Sequence, residues 1–164
     1  MSPESTGRFV RESVSEYSEF ALPTDANLVG NVLGGKVMHL VDLAGALAAV
    51  RHARCLVVTA SVDQMTFHHP VHIGELIILR SCVNRVFRTS LEVGVRVEAE
   101  NLLTGHRTHT SSAYLTFVAI DERGHRVLVP PVIPETEDEK RRFAEAEARR
   151  AYRLVMRDKA LRRV

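Results

Sequence analysis

One segment in the first third of the chain has almost no polar side. The run from Val37 to Val50 reads V-M-H-L-V-D-L-A-G-A-L-A-A-V, so apolar residues recur at nearly every angle around a helix. A helix that lacks a polar face belongs inside a fold, where other elements cover it. Basic residues follow at its end and suit the negative end of the helix dipole. The pattern therefore predicts a buried helix over residues 36–51.

After this helix the spacing of apolar residues changes to the alternation that is typical of β-strands. In the clearest run, Leu91, Val93, Val95 and Val97 occupy every second position. Such alternation indicates a strand with one buried face. An antiparallel sheet curled around one long apolar helix accommodates these elements, so the sequence predicts an α+β fold. Strands are predicted over 56–67, 76–86, 91–101 and 107–120, with an edge strand over 11–22.

A second helix is predicted at the C-terminal end, after an extended connector over 127–134 that contains three prolines. Thr136 stands three residues before Glu139, which is the spacing of a capping box. Acidic residues crowd the start of this helix and basic residues its later turns, an order that matches the helix dipole. Its apolar content is thin, which favours a peripheral position. Its later arginines are interpreted as a solvated face without a role: Arg149, Arg150, Arg153 and Arg157.

The length and composition suit one domain. The 164 residues are 45% hydrophobic, which is enough for an ordinary core. We divide the chain into a flexible leader over 1–10, a main domain over 11–125, and a connector with the C-terminal helix over 126–164.

Several classes of partner are disfavoured by the composition. The formal net charge is only +2 and the chain has no Trp, which argues against binding nucleic acid. His39 and Asp42 interrupt the longest apolar run, so no membrane-spanning helix is expected. The polar N-terminal segment lacks the apolar core of a signal peptide, and we expect a cytoplasmic protein. Cys55 and Cys82 are then expected to be free thiols.

Histidines cluster at 68–72, in the segment H-H-P-V-H. The cluster lacks a spaced carboxylate or cysteine partner and straddles a proline, so we expect no metal. The sequence also lacks G-x-S-x-G, which argues against a serine hydrolase.

One carboxylate, Asp42, lies within the apolar helix and is the strongest candidate for chemistry. Burying an unpaired carboxylate is unfavourable, so such a group has partners or a function. Asp42 is interpreted as a general base for water, or as a nucleophile that forms an anhydride. The alternative is a carboxylate satisfied by backbone donors. Gly34 and Gly35 before the helix offer free N–H groups to an oxyanion, or only allow a tight turn.

Two stretches resemble a known protein family. Residues 25–42 read D-A-N-L-V-G-N-V-L-G-G-K-V-M-H-L-V-D, and residues 58–76 read V-T-A-S-V-D-Q-M-T-F-H-H-P-V-H-I-G-E-L. With the later R-T-S-L-E-V and A-Y-L-T-F-V-A-I-D, they are similar to the hotdog-fold acyl-CoA thioesterases of the cytosolic acyl-CoA hydrolase type. The likeness covers roughly 11–123. It implies a hotdog fold, hydrolysis of an acyl-CoA thioester, and a homodimer that usually assembles into a trimer of dimers.

The resemblance also implies roles for particular residues. Asp42 falls on the catalytic acidic position, and Asn31 would hold the attacking water or the thioester oxygen rather than only form a turn. Gly35, or a residue on either side, is the expected oxyanion donor, with Gly34 beside the substrate. Further substrate contacts are expected from Thr59 and, toward the CoA phosphates, from Arg88, Thr89 and Ser90, although the last three also suit a plain polar hairpin turn.

Two asparagines and an aspartate share the loop before the helix. Asp25 and Asn27 resemble family positions too, but structural roles in the loop explain them. Asn31 and Asp42 lie almost two helical turns apart, or about 11 Å. We therefore hypothesise that each site takes Asn31 from one chain and Asp42 from its two-fold partner.

The function predicted on this basis is hydrolysis of medium- to long-chain fatty acyl-CoA in the cytoplasm. No cofactor is expected, because CoA is part of the substrate. One alternative is a non-catalytic acyl-CoA-binding protein or regulatory subunit on the same fold. Another is a hotdog dehydratase, which relies on an active-site histidine. His39 is the one histidine within 36–51, and it lies on a different helix face from Asp42.

Overall fold

A long helix, α1 (Gly34–Ala53), lies against the concave side of a five-stranded antiparallel sheet. The computed structural model describes residues 6–63 and 65–161. The predicted α+β architecture, an antiparallel sheet against one long helix with a second helix at the C-terminal end, is confirmed. The elements are β1 (Arg8–Phe9), β2 (Ser15–Phe20), β3 (Leu56–Val62), β4 (Leu76–Phe87), β5 (Ser90–Asn101), β6 (His106–Ile120), β7 (Val132–Ile133) and helix α2 (Glu137–Leu161), and the sheet order is β2-β4-β5-β6-β3.

Helix α1 approaches the sheet closely at Gly45. A Cβ atom there would lie 3.1 Å from the ring of Phe117, so any other residue would push against this ring. Beside this contact, Ser81 Oγ donates a hydrogen bond to the carbonyl oxygen of Ala44 over 2.7 Å. The sheet-facing residues of α1 are almost wholly buried: Val37, Leu40, Val41, Ala44, Ala48 and Ala49.

The opposite face of α1 is not covered by the residues that the structure describes, although the sequence predicts burial on all sides. Met38, Leu43, Leu47 and Val50 are each between 37% and 48% exposed. The sheet curls around one side of the helix only, so the apolar stripe formed by these four residues needs a cover that one chain does not supply.

Element boundaries differ from the sequence prediction most clearly at α1, β3 and β2. Helix α1 begins at Gly34, two residues before the predicted start, with Leu33 as its N-cap. Strand β3 ends at Val62 rather than at residue 67; Asp63 N still donates to the Tyr114 carbonyl over 2.9 Å, and the Asp63 carboxylate binds Arg153. The predicted edge strand over 11–22 is confined to β2, since a 3-10 turn at Val10–Glu12 precedes it.

Strand β1 lies inside the segment predicted to be a leader. It pairs in parallel with β7, and Val10 directly after it is only 2% exposed. Residues 6–10 are therefore part of the packed fold, because an apolar side chain follows the short strand into the core. Residues 1–5 of the predicted leader lie outside the described residues.

The predicted capping box at the start of α2 is confirmed. Glu139 N donates to Thr136 Oγ1 over 3.2 Å, and Glu139 Oε2 accepts from Thr136 N over 3.0 Å. Helix α2 then crosses the outer face of the sheet, where Ala146 is fully buried.

Candidate active site

Asp42 and Thr59 come together at the uncovered side of α1. Thr59 Oγ1 donates a hydrogen bond to Asp42 Oδ1 over 2.7 Å. Asp42 is half-buried, whereas Thr59 is exposed on β3, one of the two edge strands of the sheet. One carboxylate oxygen is thus held by a hydroxyl, and the other remains available to a water molecule or a substrate.

The two glycines form the first residues of α1. Within residues 6–63 and 65–161, the N–H groups of Gly34 and Gly35 have no hydrogen-bond acceptor, while Lys36 N and Val37 N both donate to the Leu33 carbonyl. The unpaired N–H groups sit at the positive end of the helix dipole. Phe67 lies 3.6 Å from where a Gly34 Cβ would stand, and the space at Gly35 is open. This arrangement can bind a developing negative charge.

The glycine N–H groups do not meet Asp42 of the same chain. Seven residues separate Gly35 from Asp42, which is about 10 Å along the helix axis. A single thioester carbonyl cannot contact both at hydrogen-bond distance. Within one protomer the structure therefore joins Asp42 to Thr59 and leaves the oxyanion donors at the far end of the uncovered face.

Asn31 lies at the glycine end of this face. Its side-chain oxygen is 2.9 Å from His72 Nδ1, and the two residues form an isolated β-bridge. Asn27 closes the same loop, because its Oδ1 accepts from Val29 N over 3.0 Å and from Asn31 N over 3.1 Å. The side-chain NH₂ of Asn27 has no acceptor among the described residues. The side-chain oxygen of Asn27 thus stabilises the loop, and its NH₂ group is free to donate a hydrogen bond to a ligand.

Asp25 has the structural role expected of it. Its Oδ2 accepts from Leu22 N over 3.2 Å, and its Oδ1 lies 3.5 Å from the ammonium group of Lys36. Lys36 is also 2.5 Å from Glu19, and this hydrogen bond is the main reason that the pKa of Glu19 lies below its usual value. These contacts fix the loop to the start of α1.

The predicted phosphate contacts form the tip of the β4–β5 hairpin. Arg88 adopts a left-handed conformation with φ of 63°. The carbonyls of Arg88 and Thr89 accept from Val129 N and Ala119 N, at 2.8 and 2.9 Å. Ser90 Oγ lies 3.5 Å from Arg150. These residues are on the outer face of the sheet, so they are associated with α2 rather than with Asp42.

The arginines of α2 are not a plain solvated face, as the sequence suggested. Arg149 binds both oxygens of Glu92, a fully buried carboxylate on β5, at 2.7 to 3.2 Å. Arg153 binds Asp63 over 2.7 Å. Burial raises the pKa of the Asp63 carboxyl, and the Arg153 guanidinium opposes that rise. Amphipathic spacing within β5 marks Glu92 as outward-facing, but nothing local in the sequence indicates that a helix covers it.

The histidines of the 68–72 segment do not converge. His72 is engaged with Asn31, and His68 packs near the ring of His109 with centroids 6.1 Å apart. In the part of the chain that the structure describes, no three His, Cys, Asp or Glu side chains form a group able to hold a metal ion. That part also contains no helix with the length and apolar character needed to cross a membrane.

The exposed apolar surface continues beyond α1. Leu28 and Val29, at the tip of the loop before the helix, are 106% and 79% exposed. Strand β3 adds Leu56, Val58 and Val62, each about half exposed. Apolar surface therefore surrounds Asp42, Thr59 and the glycine N–H groups, a feature that marks interaction surfaces.

Known proteins share this arrangement of elements. Residues 29–105 match the family model of the thioesterase superfamily. The uncharacterized acyl-CoA thioester hydrolase YkhA of Bacillus subtilis is 40% identical over 132 residues, which are 80% of this chain and 77% of that protein. The cytosolic acyl coenzyme A thioester hydrolase of Homo sapiens is 36% identical over 129 residues, or 77% of this chain, but the chain spans only 34% of its length.

Solved structures extend the likeness to nearly the whole chain. An apo-hexameric acyl-CoA thioesterase is 42% identical with a TM-score of 0.89, and the match covers 92% of this chain and 97% of that chain. The acyl-CoA hydrolase of Staphylococcus aureus in complex with butyryl coenzyme A and coenzyme A is 30% identical, with a TM-score of 0.88 and 94% of each chain covered. Both matches confirm the predicted family, and the chain belongs to the thioesterase superfamily as a hotdog-fold member of the acyl-CoA thioesterase type.

Proposed function

We propose that this protein hydrolyses acyl-CoA thioesters to a carboxylic acid and free CoA. The observation that carries the proposal is the Asp42–Thr59 pair, a half-buried carboxylate held at 2.7 Å on an uncovered apolar helix face. Its placement in a fold shared with acyl-CoA hydrolases supports the choice of substrate. CoA enters as part of the substrate, so the proposed reaction needs neither a cofactor nor a metal.

The proposed reaction begins with Asp42 as general base. The free carboxylate oxygen takes a proton from a water molecule while the water oxygen attacks the thioester carbonyl carbon. The carbonyl oxygen becomes an oxyanion, which the N–H groups of Gly35 and its neighbour Gly34 stabilise. Collapse of this intermediate breaks the carbon–sulfur bond, and the departing thiolate of CoA receives the proton that Asp42 took from water, which restores the carboxylate.

A dimer resolves the separation between the base and the oxyanion donors. The two groups lie about 10 Å apart in one chain. A two-fold partner packed on the apolar stripe of α1 would place its own loop and glycines against Asp42, and symmetry would produce two equal sites. The exposed stripe on α1 and the exposed edge strand β3 support this homodimer. Further assembly into a trimer of dimers is proposed because a relative of 42% identity is hexameric.

The choice of loop asparagine is refined by comparison with the S. aureus enzyme. Three structures of that enzyme each contain one alanine substitution. The substituted residues are an aspartate, an asparagine 15 residues before it and a threonine 17 residues after it. In this chain Thr59 lies 17 residues after Asp42, and Asn27 lies 15 before it, whereas Asn31 lies 11 before. The spacing favours Asn27, whose NH₂ group is spare, over Asn31 as the residue that orients the water or the thioester.

The acyl group is proposed to be a fatty chain of medium to long length, lodged between the apolar stripe of α1 and the two-fold partner that covers it. The support is the run of exposed aliphatic side chains beside Asp42. A series of acyl-CoA substrates of graded length tests this preference.

The cytoplasmic location stays a prediction.

The test of the reaction is the variant Asp42→Asn, assayed by release of free CoA thiol. We expect the rate of hydrolysis to fall at least about a hundredfold, which is the usual contribution of a positioned general base. Binding of acyl-CoA, measured by calorimetry, should persist. Asp138→Asn makes the same chemical change at a 75% exposed side chain at the start of α2 and is the control. Full activity in Asp42→Asn would refute the assignment.

A further inference from the structure

The first turn of α1 carries a cation, which the positive end of the helix dipole disfavours. Lys36 is the third residue of α1 and follows the two glycines that are proposed as oxyanion donors. Its ammonium group lies 2.5 Å from Glu19 Oε1 and 3.5 Å from Asp25 Oδ1, and its side chain is only 26% exposed. Two carboxylates therefore hold this cation in a place that the helix alone would disfavour.

The two carboxylates come from different parts of the fold. Glu19 is on β2, the edge strand at the opposite side of the sheet from β3. Tyr17, on the same strand, donates its hydroxyl to Glu19 Oε2 over 2.6 Å. Asp25 lies in the loop before α1, and its side chain is held by the N–H of Leu22. Lys36 therefore ties the start of the helix to the sheet and to the loop at once.

The pKa values of the cluster agree with this geometry. The hydrogen bond from Lys36 is the main reason that the pKa of Glu19 is low, and the same contact raises the pKa of Lys36. The hydrogen bond to Glu19 raises the pKa of Tyr17. At neutral pH each partner is thus in the charge state that the contact requires.

The tie reaches the glycine N–H groups through Leu33, the N-cap residue of α1. Leu33 N donates to the carbonyl of Asp25 over 2.8 Å. The carbonyl of Leu33 accepts from Lys36 N and Val37 N over 3.0 and 3.2 Å. The residue before the two glycines is therefore held from both sides, and the direction of the glycine N–H groups depends on how Asp25 lies relative to Lys36.

The glycines have little else to orient them. Glycine has no side chain and the freest backbone of any residue. Apart from its chain neighbours and its own helix backbone, no atom of the described residues lies within 4 Å of where a Gly35 Cβ would stand. Donors to an oxyanion must be fixed before the reaction, because a displacement of about 1 Å can slow catalysis about a hundredfold. Orientation must therefore come from the residues on either side.

We propose that Lys36 is a positioning residue for hydrolysis, which orients the N–H groups of Gly34 and Gly35 by binding Glu19 and Asp25. Lys36 does not itself contact the substrate. The two edge strands then have matching roles, since Thr59 of β3 holds the carboxylate of the site and Glu19 of β2 holds its oxyanion donors. The proposal rests on the function proposed above.

The first test uses two variants that break the contact but change the local charge in opposite directions. Lys36→Met removes the cation, and Glu19→Met removes an anion. We expect both to lower kcat at least about fivefold, since an ion pair that is about a quarter exposed is lost. KM should stay within about twofold, because the oxyanion forms only in the transition state. Lys36→Arg, which keeps the charge and the donors, should retain most of the activity.

The matched control is Lys140→Met, which breaks an ion pair with Glu137 at the start of α2 and should change neither kcat nor KM. Three results overturn the proposal. If Glu19→Met is as fast as the wild type while Lys36→Met is slow, the charge of Lys36 acts directly on the reaction. A rise in KM at unchanged kcat would show that Lys36 binds the substrate. Full activity in both variants would show that the contact has no role in the reaction.

The second test does not depend on catalysis. Backbone hydrogen exchange, measured by mass spectrometry, should be at least about fivefold faster over residues 33–37 in Lys36→Met than in the wild type, with unchanged rates in the central strand β5. If the wild-type protein hydrolyses no thioester, the proposed function fails, but this exchange still decides whether Lys36 holds the helix start. Equal exchange in the two proteins refutes the positioning role. Should Lys36→Met also loosen β5, Glu19→Gln, which keeps an acceptor for Tyr17, replaces it in both tests with the same expected outcomes.

Discussion

The hydroxyl of Thr59 donates to the carboxylate of Asp42 over 2.7 Å, which connects the edge strand β3 to the uncovered face of α1. The hydrogen bond fixes the orientation of the carboxylate and leaves one of its oxygens for water. The proposed base is thus positioned by a residue from the sheet rather than by its own helix.

Loss of the Thr59 hydroxyl should therefore slow hydrolysis. We predict that Thr59→Val, which keeps the shape of the side chain, lowers kcat about tenfold or more, because a hydrogen bond to a charged group is removed. Thr59→Ser keeps the hydroxyl and should retain most of the activity. Steady-state assays of both variants on one acyl-CoA check the prediction, and equal rates would contradict it.

The two loop asparagines can be separated by one conservative change each. Asn27→Asp keeps the oxygen that accepts from Val29 N and Asn31 N but removes the spare NH₂ donor. We predict that it lowers kcat at least about tenfold without unfolding the loop. Asn31→Asp keeps the oxygen that faces His72 and is the matched control. If only Asn31→Asp is slow, Asn31 is the residue that orients the reactants, as the sequence first indicated.

The shared site can be tested by complementation. Co-expression of Asp42→Asn with the inactive loop variant, at Asn27 or Asn31, gives mixed dimers that contain one intact site. Random pairing makes half the dimers mixed, so about a quarter of the wild-type activity should return. The two variants purified separately and mixed without subunit exchange should stay inactive. A co-expressed sample no more active than either variant would place both residues in one subunit.

The buried ion pair between α2 and β5 should matter for stability. Glu92→Ala leaves the Arg149 guanidinium without its carboxylate, and we predict a loss of at least about 2 kcal/mol in the free energy of unfolding. The estimate is at the low end because Arg149 keeps 21% exposure. Glu100→Ala, on the same strand, removes a partner of the half-exposed Arg107. It should change the free energy of unfolding by less than about 1 kcal/mol. Urea unfolding at one fixed protein concentration checks both values.

Stability should also fall in mild acid because of His52. This fully buried residue lies in the last turn of α1. Its Nε2 lies 2.9 Å from the carbonyl oxygen of Pro130, while Nδ1 has no partner among the described residues. Burial lowers the pKa of His52 below its ordinary value of 6.5. Below pH 6.5 the unfolded chain then takes up the proton first, so the free energy of unfolding decreases as pH falls toward the folded pKa.

The size of this effect is bounded. One group contributes at most about 1.4 kcal/mol per pH unit. We expect His52→Gln, which keeps an N–H donor for Pro130, to remove this part of the pH dependence. Unfolding curves of both proteins at pH 7.5 and 5.5, at equal concentration, measure it. Parallel changes in the two proteins would show that another group is responsible.

The sequence predicted what depends on local spacing. The apolar run before Arg51 predicted α1, and the alternation from Leu91 predicted β5. Both predictions succeed because the spacing of buried residues depends on the type of element they belong to. The capping box at Thr136 was predicted for the same reason. The family resemblance also pointed to Asp42, Thr59, Gly34 and Gly35, whereas it led to Asn31 and left Asn27, the asparagine now favoured, with a structural role in the loop.

The remaining features depend on contacts between distant residues. Glu92 and Arg149 are 57 positions apart, and no local pattern shows that α2 lies over β5. The segment after Val62 has β-forming residues, yet strand β3 ends there, beside an ion pair between Asp63 and Arg153, which is 90 positions away. Helix α1 is apolar on nearly all sides, as predicted, but the described residues of one chain bury only one of its faces.

The uncovered edge of β3 has a consequence for the life of the protein before assembly. A newly synthesised chain displays Leu56, Val58 and Val62 on an unpaired strand next to the apolar stripe of α1. Such an edge is a template for pairing with any other extended chain, and transient exposure of it leads to aggregation. In the proposed homodimer, pairing with the correct partner would therefore keep the protein in solution as well as complete its sites. Substitutions that weaken self-association should accordingly appear first as precipitated protein in expression, before an inactive monomer can be isolated.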